Sequence, residues 1–455
     1  MGVVSAVFWG VVVLSALVFV HEGGHFLAAR ACGMRVTEFF LGMPCRIRAS
    51  RKSKKYGTEF GVTPILLGGY TRICGMEGSQ DELLSECFAI VQREGRVLAS
   101  DVAAELGVDL DRAYDLLATL CDWASIRPYY DPDKGEFPNQ GSFPEAFETL
   151  ARDAHMLTEY DSGHDFSQDG STTYAEPRPV TDPDAALAEE KGHTYLGKGF
   201  LRRVLTLFAG PLVNVVVAFA IVTASLSIVG VTAAVNSNKL GGVESGSYAY
   251  KAGLRAGDRI TAIGGTSTSD WNGVVRALDG VLGTRKDFTV TYERSGKSHT
   301  ANVSVSGKKV KVFGIDAQSR QVRLPVWQSA LAALQYGQEV AKFAVQLIIP
   351  QQTMKTLSSA SSVVGISAAA SQAAASGVND LLLFVAMVSM SLGFMNLLPI
   401  PPLDGGKILI EVIQLIVRKP LSLRAQTIVS YVGLAFFAFI FVFALKNDIT
   451  RLVLG

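Results

Sequence analysis

The sequence predicts an α-helical membrane protein: four spanning helices, a β region held at the membrane face, one compact α/β module outside, and a small helical insert in the cytosol. Three observations lead there. Of 455 residues, 49% are hydrophobic and 18% charged, and the apolar residues gather in four uncharged runs. The charges segregate as well. Residues 77–191 hold 26 acidic and 8 basic residues, a net of −18 (8 less 26), so the rest of a chain of net charge +1 carries +19. Such asymmetry marks separate modules in separate surroundings. Finally, ionisable groups follow directly on an apolar run of span length, where they are expensive unless they serve a function.

Residues 1–30 form the first predicted span. The run from Val3 to Ala29 is uncharged up to His21-Glu22-Gly23-Gly24-His25. It lacks a basic leading segment and a small-x-small cleavage site, so it is expected to remain as a span. On a helix, positions i and i+4 share a face, so His21 and His25 can grip one metal ion with Glu22 beside it. This is the H-E-x-x-H pattern in which two imidazoles bind Zn2+ and the glutamate serves as base. Glycine costs about 1 kcal/mol against alanine inside a helix, so Gly23 and Gly24 point to close approach of backbone or substrate.

Residues 31–75 alternate in polarity, with Gly57, Gly61, Gly68 and Gly69 as punctuation. They predict a membrane-associated β region. Residues 76–195 form the acidic insert. Within it, Leu83–Glu94, Ala99–Leu106 and Asp111–Asp122 are helix candidates, and Ile126–Tyr130 leads into a turn. Residues 82–135 therefore suggest a winged-helix-like unit. Residues 136–195, rich in Asp, Gly, Ser and Pro, predict a flexible linker, with His155, His164 and His193 solvated. The second span falls in 196–231, where no charge appears between Arg203 and Lys239. Residues 232–320 read as the α/β module. Residues 321–379 hold an amphipathic helix at 326–349, with Trp327, Leu331, Leu334, Val340, Phe343 and Leu347 as candidates for one face, and a connector. Residues 380–406 give the third span, and 407–455 a loop followed by the fourth, uncharged from Ala425 to Leu445.

Basic residues near span ends set the orientation. Arg30, Arg35, Arg46, Arg48, Arg51, Lys52, Lys54 and Lys55 follow the first span. Arg202 and Arg203 precede the second, and Lys407, Arg418, Lys419 and Arg424 lie between the third and fourth. Strict alternation puts all of them on one side, which is then cytoplasmic, as are residues 31–201. Both termini and residues 232–380 lie outside. His21 then sits near the cytoplasmic end of its span, about 27 Å along a helix begun at Val3. A third ligand is expected at that depth from another span. It is found in Asn396-Leu-Leu-Pro399-Ile-Pro401-Pro402-Leu403-Asp404-Gly405-Gly406. Three prolines and two glycines break the helix, and broken backbone at membrane depth is tolerated where it lines a cavity. Asp404 is the expected third metal ligand, and Asn396 and Pro399 are expected to hold an extended substrate. All five cysteines fall in the first 121 residues without a C-x-x-C pair, which suggests a reducing compartment rather than disulfides.

These two motifs, in this order, resemble the site-2 protease family of intramembrane zinc metalloproteases, in the type represented by the bacterial regulator-of-sigma-E protease. Gly57-Thr-Glu-Phe with Leu67-Gly-Gly-Tyr70 is similar to that family's membrane-associated β-loop, and Phe208-Ala-Gly-Pro-Leu-Val-Asn214 to the start of its second span. Gly246, Ala252-Gly253-Leu254, Gly257-Asp258, Ile263-Gly-Gly and Trp271 resemble a PDZ domain, here one where the sigma-E protease carries two. The resemblance implies a multi-pass enzyme of the bacterial plasma (inner) membrane, with an extracytoplasmic PDZ-like domain and lipid around its spans. Its substrates would be single-span proteins such as anti-sigma factors or signal-peptide remnants, cut within the bilayer in regulated intramembrane proteolysis. Besides the single PDZ-like module, two features depart from the pattern. Ser362-Val-Val-Gly365-Ile366 lacks a proline usual before the third span, and the insert has no counterpart. The insert's charge repels phosphate, so a cytosolic protein partner is favoured over nucleic acid. The competing reading is a catalytically silent membrane sensor or scaffold working through the PDZ-like domain and the insert.

Overall fold

The computed structural model describes residues 2–66, 68–76, 81–138, 142–284, 286–305, 312–358, 361–419, 421 and 423–454. Leu67 of the β-loop stretch lies outside them. Two compact units result, Met1–Val222 with Ala333–Gly455, and Thr223–Ala332. Among the described residues, four helices are long and apolar enough to cross a membrane: Val3–Ala31, Phe200–Val229, Val378–Asn396 and Ala425–Thr450. An unbroken helix satisfies its own backbone polar groups, which is what a lipid-facing segment requires.

The chain opens with helix α1 (Val3–Ala31). Strands β1 (Val36–Leu41), β2 (Ala49–Lys52), β3 (Glu59–Val62) and β4 (Gly69–Ile73) follow in the sheet order β2-β3-β1-β4. β1 pairs parallel with β3 and antiparallel with β4. The sheet buries Phe39 and Ile73 against Phe26 and Ala29 of α1, and Phe26 meets Phe39 and Phe60 edge to face. This aromatic layer fixes β4 beside α1, where the Thr71 hydroxyl donates to the Glu22 carbonyl at 3.2 Å.

The insert contains α2 (Leu84–Glu94), β5 (Arg96–Leu98), α3 (Ala99–Leu106), α4 (Leu110–Asp122), β6 (Ile126–Tyr129), β7 (Ala146–Thr149) and α5 (Pro183–Gly192). The three helices lie within a residue of their expected bounds. They enclose a core that includes Phe88, Val91, Leu116, Leu117, Trp123 and Phe147. The flexible linker expected at 136–195 is corrected. β7 is the middle strand of the sheet β5-β7-β6, so the folded unit extends well past residue 135. Composition misleads here because the acidic side chains are consumed internally. Glu148 is fully buried between Arg96 and Arg127. Asp153 accepts from the backbone N–H groups of His155, Leu157 and Asp165. His193, expected to be solvated, pairs through Nδ1 with Asp161 at 2.9 Å. All five cysteines are free thiols.

Helix α6 (Phe200–Ala224) carries Pro211 in its interior and passes into a π-helical turn at Ser225–Val229. The second unit contains β8 (Val231–Ala234), β9 (Leu240–Val243), α7 (Tyr248–Lys251), β10 (Arg259–Ile263), β11 (Thr266–Ser267), α8 (Trp271–Leu282), β12 (Phe288–Arg294), β13 (Lys297–Val303), β14 (Ile315–Ala317) and β15 (Ser319–Val322). Its main sheet runs β11-β10-β12-β13, with β14-β9 and β15-β8 as separate pairs. Leu254, Ile263, Val274, Val290 and Val303 fill its core.

Then come α9 (Val326–Ile348), α10 (Pro350–Leu357), α11 (Val363–Ser376), α12 (Val378–Asn396), α13 (Asp404–Val417) and α14 (Leu423–Leu454). α11 packs on α1, where Ser5 and Ser371 share a 2.7 Å hydrogen bond. Its start is the stretch Ser362–Ile366. There the Asp448 carboxylate, on α14, accepts from the backbone N–H groups of Ser362 and Gly365 at 2.6 and 3.1 Å.

Candidate metal centre

The i, i+4 spacing in α1 puts His21 and His25 on one buried face, and α13 brings Asp404 to them. His21 Nε2 and His25 Nε2 lie 3.1 and 3.3 Å from Asp404 Oδ2 and 3.3 Å from each other. Among the described residues this is the group whose His, Cys, Asp and Glu donor atoms converge as a metal site requires. The donor set can be tested against zinc. Bonds of about 2.0–2.1 Å at tetrahedral angles place donor atoms about 3.3–3.4 Å apart. All three observed separations lie close to that edge length.

The opposite ring nitrogens are held by α6. His25 Nδ1–H donates to the Thr206 carbonyl at 2.8 Å, which leaves the Nε2 lone pair free. His21 Nδ1 lies 3.3 Å from Asn214 Nδ2, while Asn214 Oδ1 is buried without a hydrogen-bond partner among the described residues. Half a turn of the amide would present Oδ1 to His21 Nδ1–H, satisfy both groups and free His21 Nε2 in the same way. The Asn214 backbone carbonyl accepts from the Ser389 hydroxyl of α12 at 2.9 Å. Sequence reasoning did not assign Asn214. The signal was present, since it is the one asparagine within the apolar helix Phe200–Ala224. Thr206 acts through its backbone and has no side-chain signature.

Close approach explains the glycines. A Cβ on Gly24 would strike the backbone of Ala209 and Gly210, and a Cβ on Gly210 would strike the His25 ring. Gly405 and Gly406 likewise meet the backbone of Leu397, Leu398 and Ile400, so the loop 397–403 folds onto the start of α13. Gly210→Ala is a sensitive probe. Inside a helix this change normally gains about 1 kcal/mol, but here overpacking against an imidazole tied to Thr206 is expected to cost about 1–3 kcal/mol net. Thermal unfolding in detergent reads the sign, and a rise in Tm would mean the His25 ring moves aside freely.

Glu22 is half-buried, its side chain running beside Gly69 of β4. Asn396 ends α12 and is half-buried, and Pro399 is exposed in the turn that follows. Neither belongs to the cluster of three donors.

Residues 9–440 match the family described as Peptidase family M50. The chain is 30% identical to a Lactococcus lactis protein named provisionally as a zinc metalloprotease, over 97% of each chain. It is 26% identical to the zinc metalloprotease RasP of Geobacillus kaustophilus, over 98% of this chain and 97% of the relative. It is 25% identical to the regulator of sigma-W protease RasP of Bacillus subtilis, over 99% and 100%.

Proposed function

This chain belongs to peptidase family M50 and is a zinc metalloprotease with the apolar helices of a multi-pass membrane protein; on that premise we propose that it cuts single-span substrates within the bilayer at a zinc held by His21, His25 and Asp404. The observation that carries the reading is the convergence of three donor atoms at 3.1–3.3 Å, two of them, with the adjacent Glu22, in a helix of span length and the third at the start of α13. When bound, zinc supplies Lewis acidity towards the scissile carbonyl. Glu22 takes the proton of the attacking water and returns it to the leaving nitrogen. Thr206 and Asn214 fix the two imidazoles. Asn396 and Pro399, flanking the non-helical turn, hold the unwound substrate segment as an extended strand.

The substrates are proposed to be anti-sigma factors or signal-peptide remnants left by a first cut. A relative named regulator of sigma-W protease supports the former. Basic residues at the span ends support a plasma-membrane topology with residues 31–201 cytoplasmic and 232–320 outside. The second unit, a four-stranded sheet with α8 and the short α7, supports a PDZ-like domain. In the insert, the order α2, β5, α3, α4, β6, β7 supports a winged-helix-like unit. Its charge of −18 favours a protein partner over nucleic acid.

Metal analysis tests the centre. The purified wild type is expected to hold one zinc per chain, and Asp404→Ala far less. Equal zinc in both would remove Asp404 from the site.

A further inference from the structure

Asp404 is the first residue of α13, and the broken segment 397–403 precedes it. A ligand so placed needs its helix fixed from the other side. Seven residues on, Glu411 returns to nearly the same face, about 10.5 Å along the axis. Glu411 is buried, at 7% exposure. Its Oε1 accepts from the Tyr195 hydroxyl at 3.0 Å, and its Oε2 lies 3.2 Å from Arg203 Nη1. Among the described residues, the ion pairs of α13 are those of Asp404 and Glu411.

The partners of Glu411 sit at informative positions. Arg203 is in α6, three residues before Thr206, whose carbonyl holds His25. One stretch of α6 therefore grips both ligand-bearing helices, α1 through Thr206 and α13 through Arg203. Tyr195 closes the insert. Its backbone N–H donates to Cys74 at 2.8 Å, and the neighbouring His193 carbonyl accepts from the Arg35 N–H at 2.9 Å. Burial and the Glu411 carboxylate push the Tyr195 phenol well up, so it stays protonated as the donor.

We infer that Glu411 is a positioning residue that sets the rotation and depth of Asp404, and that Tyr195 makes the acidic insert part of that setting. The inference rests on the reading of Asp404 as a zinc ligand. It assigns the insert a physical route to the metal: a partner that shifts the insert's exit alters the α13 clamp without touching a ligand.

The test is zinc affinity of the purified full-length protein, measured by competition with a chelator, for Glu411→Gln and Tyr195→Phe. Glu411→Gln keeps an oxygen for Tyr195 and loses the charge facing Arg203. It is expected to weaken zinc binding by up to about 10-fold, at or below the low end of the range for groups bonded directly to a metal ligand, because it acts through the helix and not on the ligand itself. Tyr195→Phe removes one hydroxyl and is expected to weaken binding less, though measurably. A purely structural clamp would lower the Tm of both variants and leave the zinc affinity of the folded protein at the wild-type value, which overturns the inference. Asp404→Ala is run alongside. Zinc retained there overturns the ligand reading itself, whereas zinc lost there with unchanged affinity in both other variants overturns this inference alone.

Discussion

Glu22→Gln is expected to abolish cleavage of a single-span substrate in vesicles while leaving zinc in place. The change is nearly isosteric, and the side chain is half-buried beside Gly69 and outside the donor cluster, so the three donors should keep their geometry. What is lost is the proton acceptor. General acid–base groups contribute about 10²- to 10⁴-fold, and an amide cannot take a proton near neutral pH. The expected result is therefore a rate at or below the lower end of detection with metal content unchanged. Cleavage at the wild-type rate would sink the mechanism. Loss of zinc in step with activity would make Glu22 an organiser of the site rather than its base. A silent scaffold would show no turnover in either protein, so the wild-type control also separates that reading.

The candidate metal centre is legible because its residues obey helical periodicity. His21 and His25 are one helical turn apart, and a lipid setting makes their presence conspicuous. Asp404 is found from the far end of the chain because charge-based topology puts it at the same depth as His21, and the prolines before it forbid a helix. Asn214 is less legible. It stands in the sequence as one polar residue in an apolar run, and its partner across α1 emerges only when the helices pack. Thr206 contributes a carbonyl that every residue possesses. The insert is the instructive failure. Runs of Asp, Ser and Gly with few apolar residues ordinarily cannot bury enough surface to fold. Residues 146–195 escape that rule by borrowing the core made by α2, α3 and α4 and by pairing their carboxylates with buried arginines. Arg35 shows the same ambiguity. It reads as one of many basic residues marking the inner side of the membrane, yet it is 1% exposed.

Arg35→Ala is expected to be the most destabilising substitution outside the candidate metal centre. Arg35 meets Asp161 with a fork of two hydrogen bonds, at 2.8 and 2.7 Å, and Glu190 at 2.6 Å. It also donates to the Ala124 carbonyl at 3.2 Å. Removing one member of a buried ionic group costs about 3–5 kcal/mol, because the others stay buried and less compensated. Arg152 still reaches Glu190 at 2.7 Å and His193 still reaches Asp161, which argues for the lower part of that range. Lys at position 35 could not reproduce the fork and should fall between. Acid provides an independent check. Burial pushes both carboxyls up, but the cations more than reverse it: His193 and Arg35 hold Asp161 well below the usual carboxylate range, and Arg152 and Arg35 hold Glu190 down at about 2. A depressed carboxyl stabilises the fold fully above its unfolded pKa, near 4–4.5, and loses that contribution as pH falls towards the folded value. The wild-type insert should therefore hold its place to about pH 4 and loosen progressively towards pH 2. In Arg35→Ala, Glu190 and Asp161 each keep one cation, their folded pKa values rise, and the acid transition moves to higher pH. Fluorescence of Trp123, whose carbonyl also faces Arg35, and limited proteolysis of the insert read both effects. An unchanged acid midpoint with unchanged thermal stability would show that this buried arginine does not secure the insert to the membrane core.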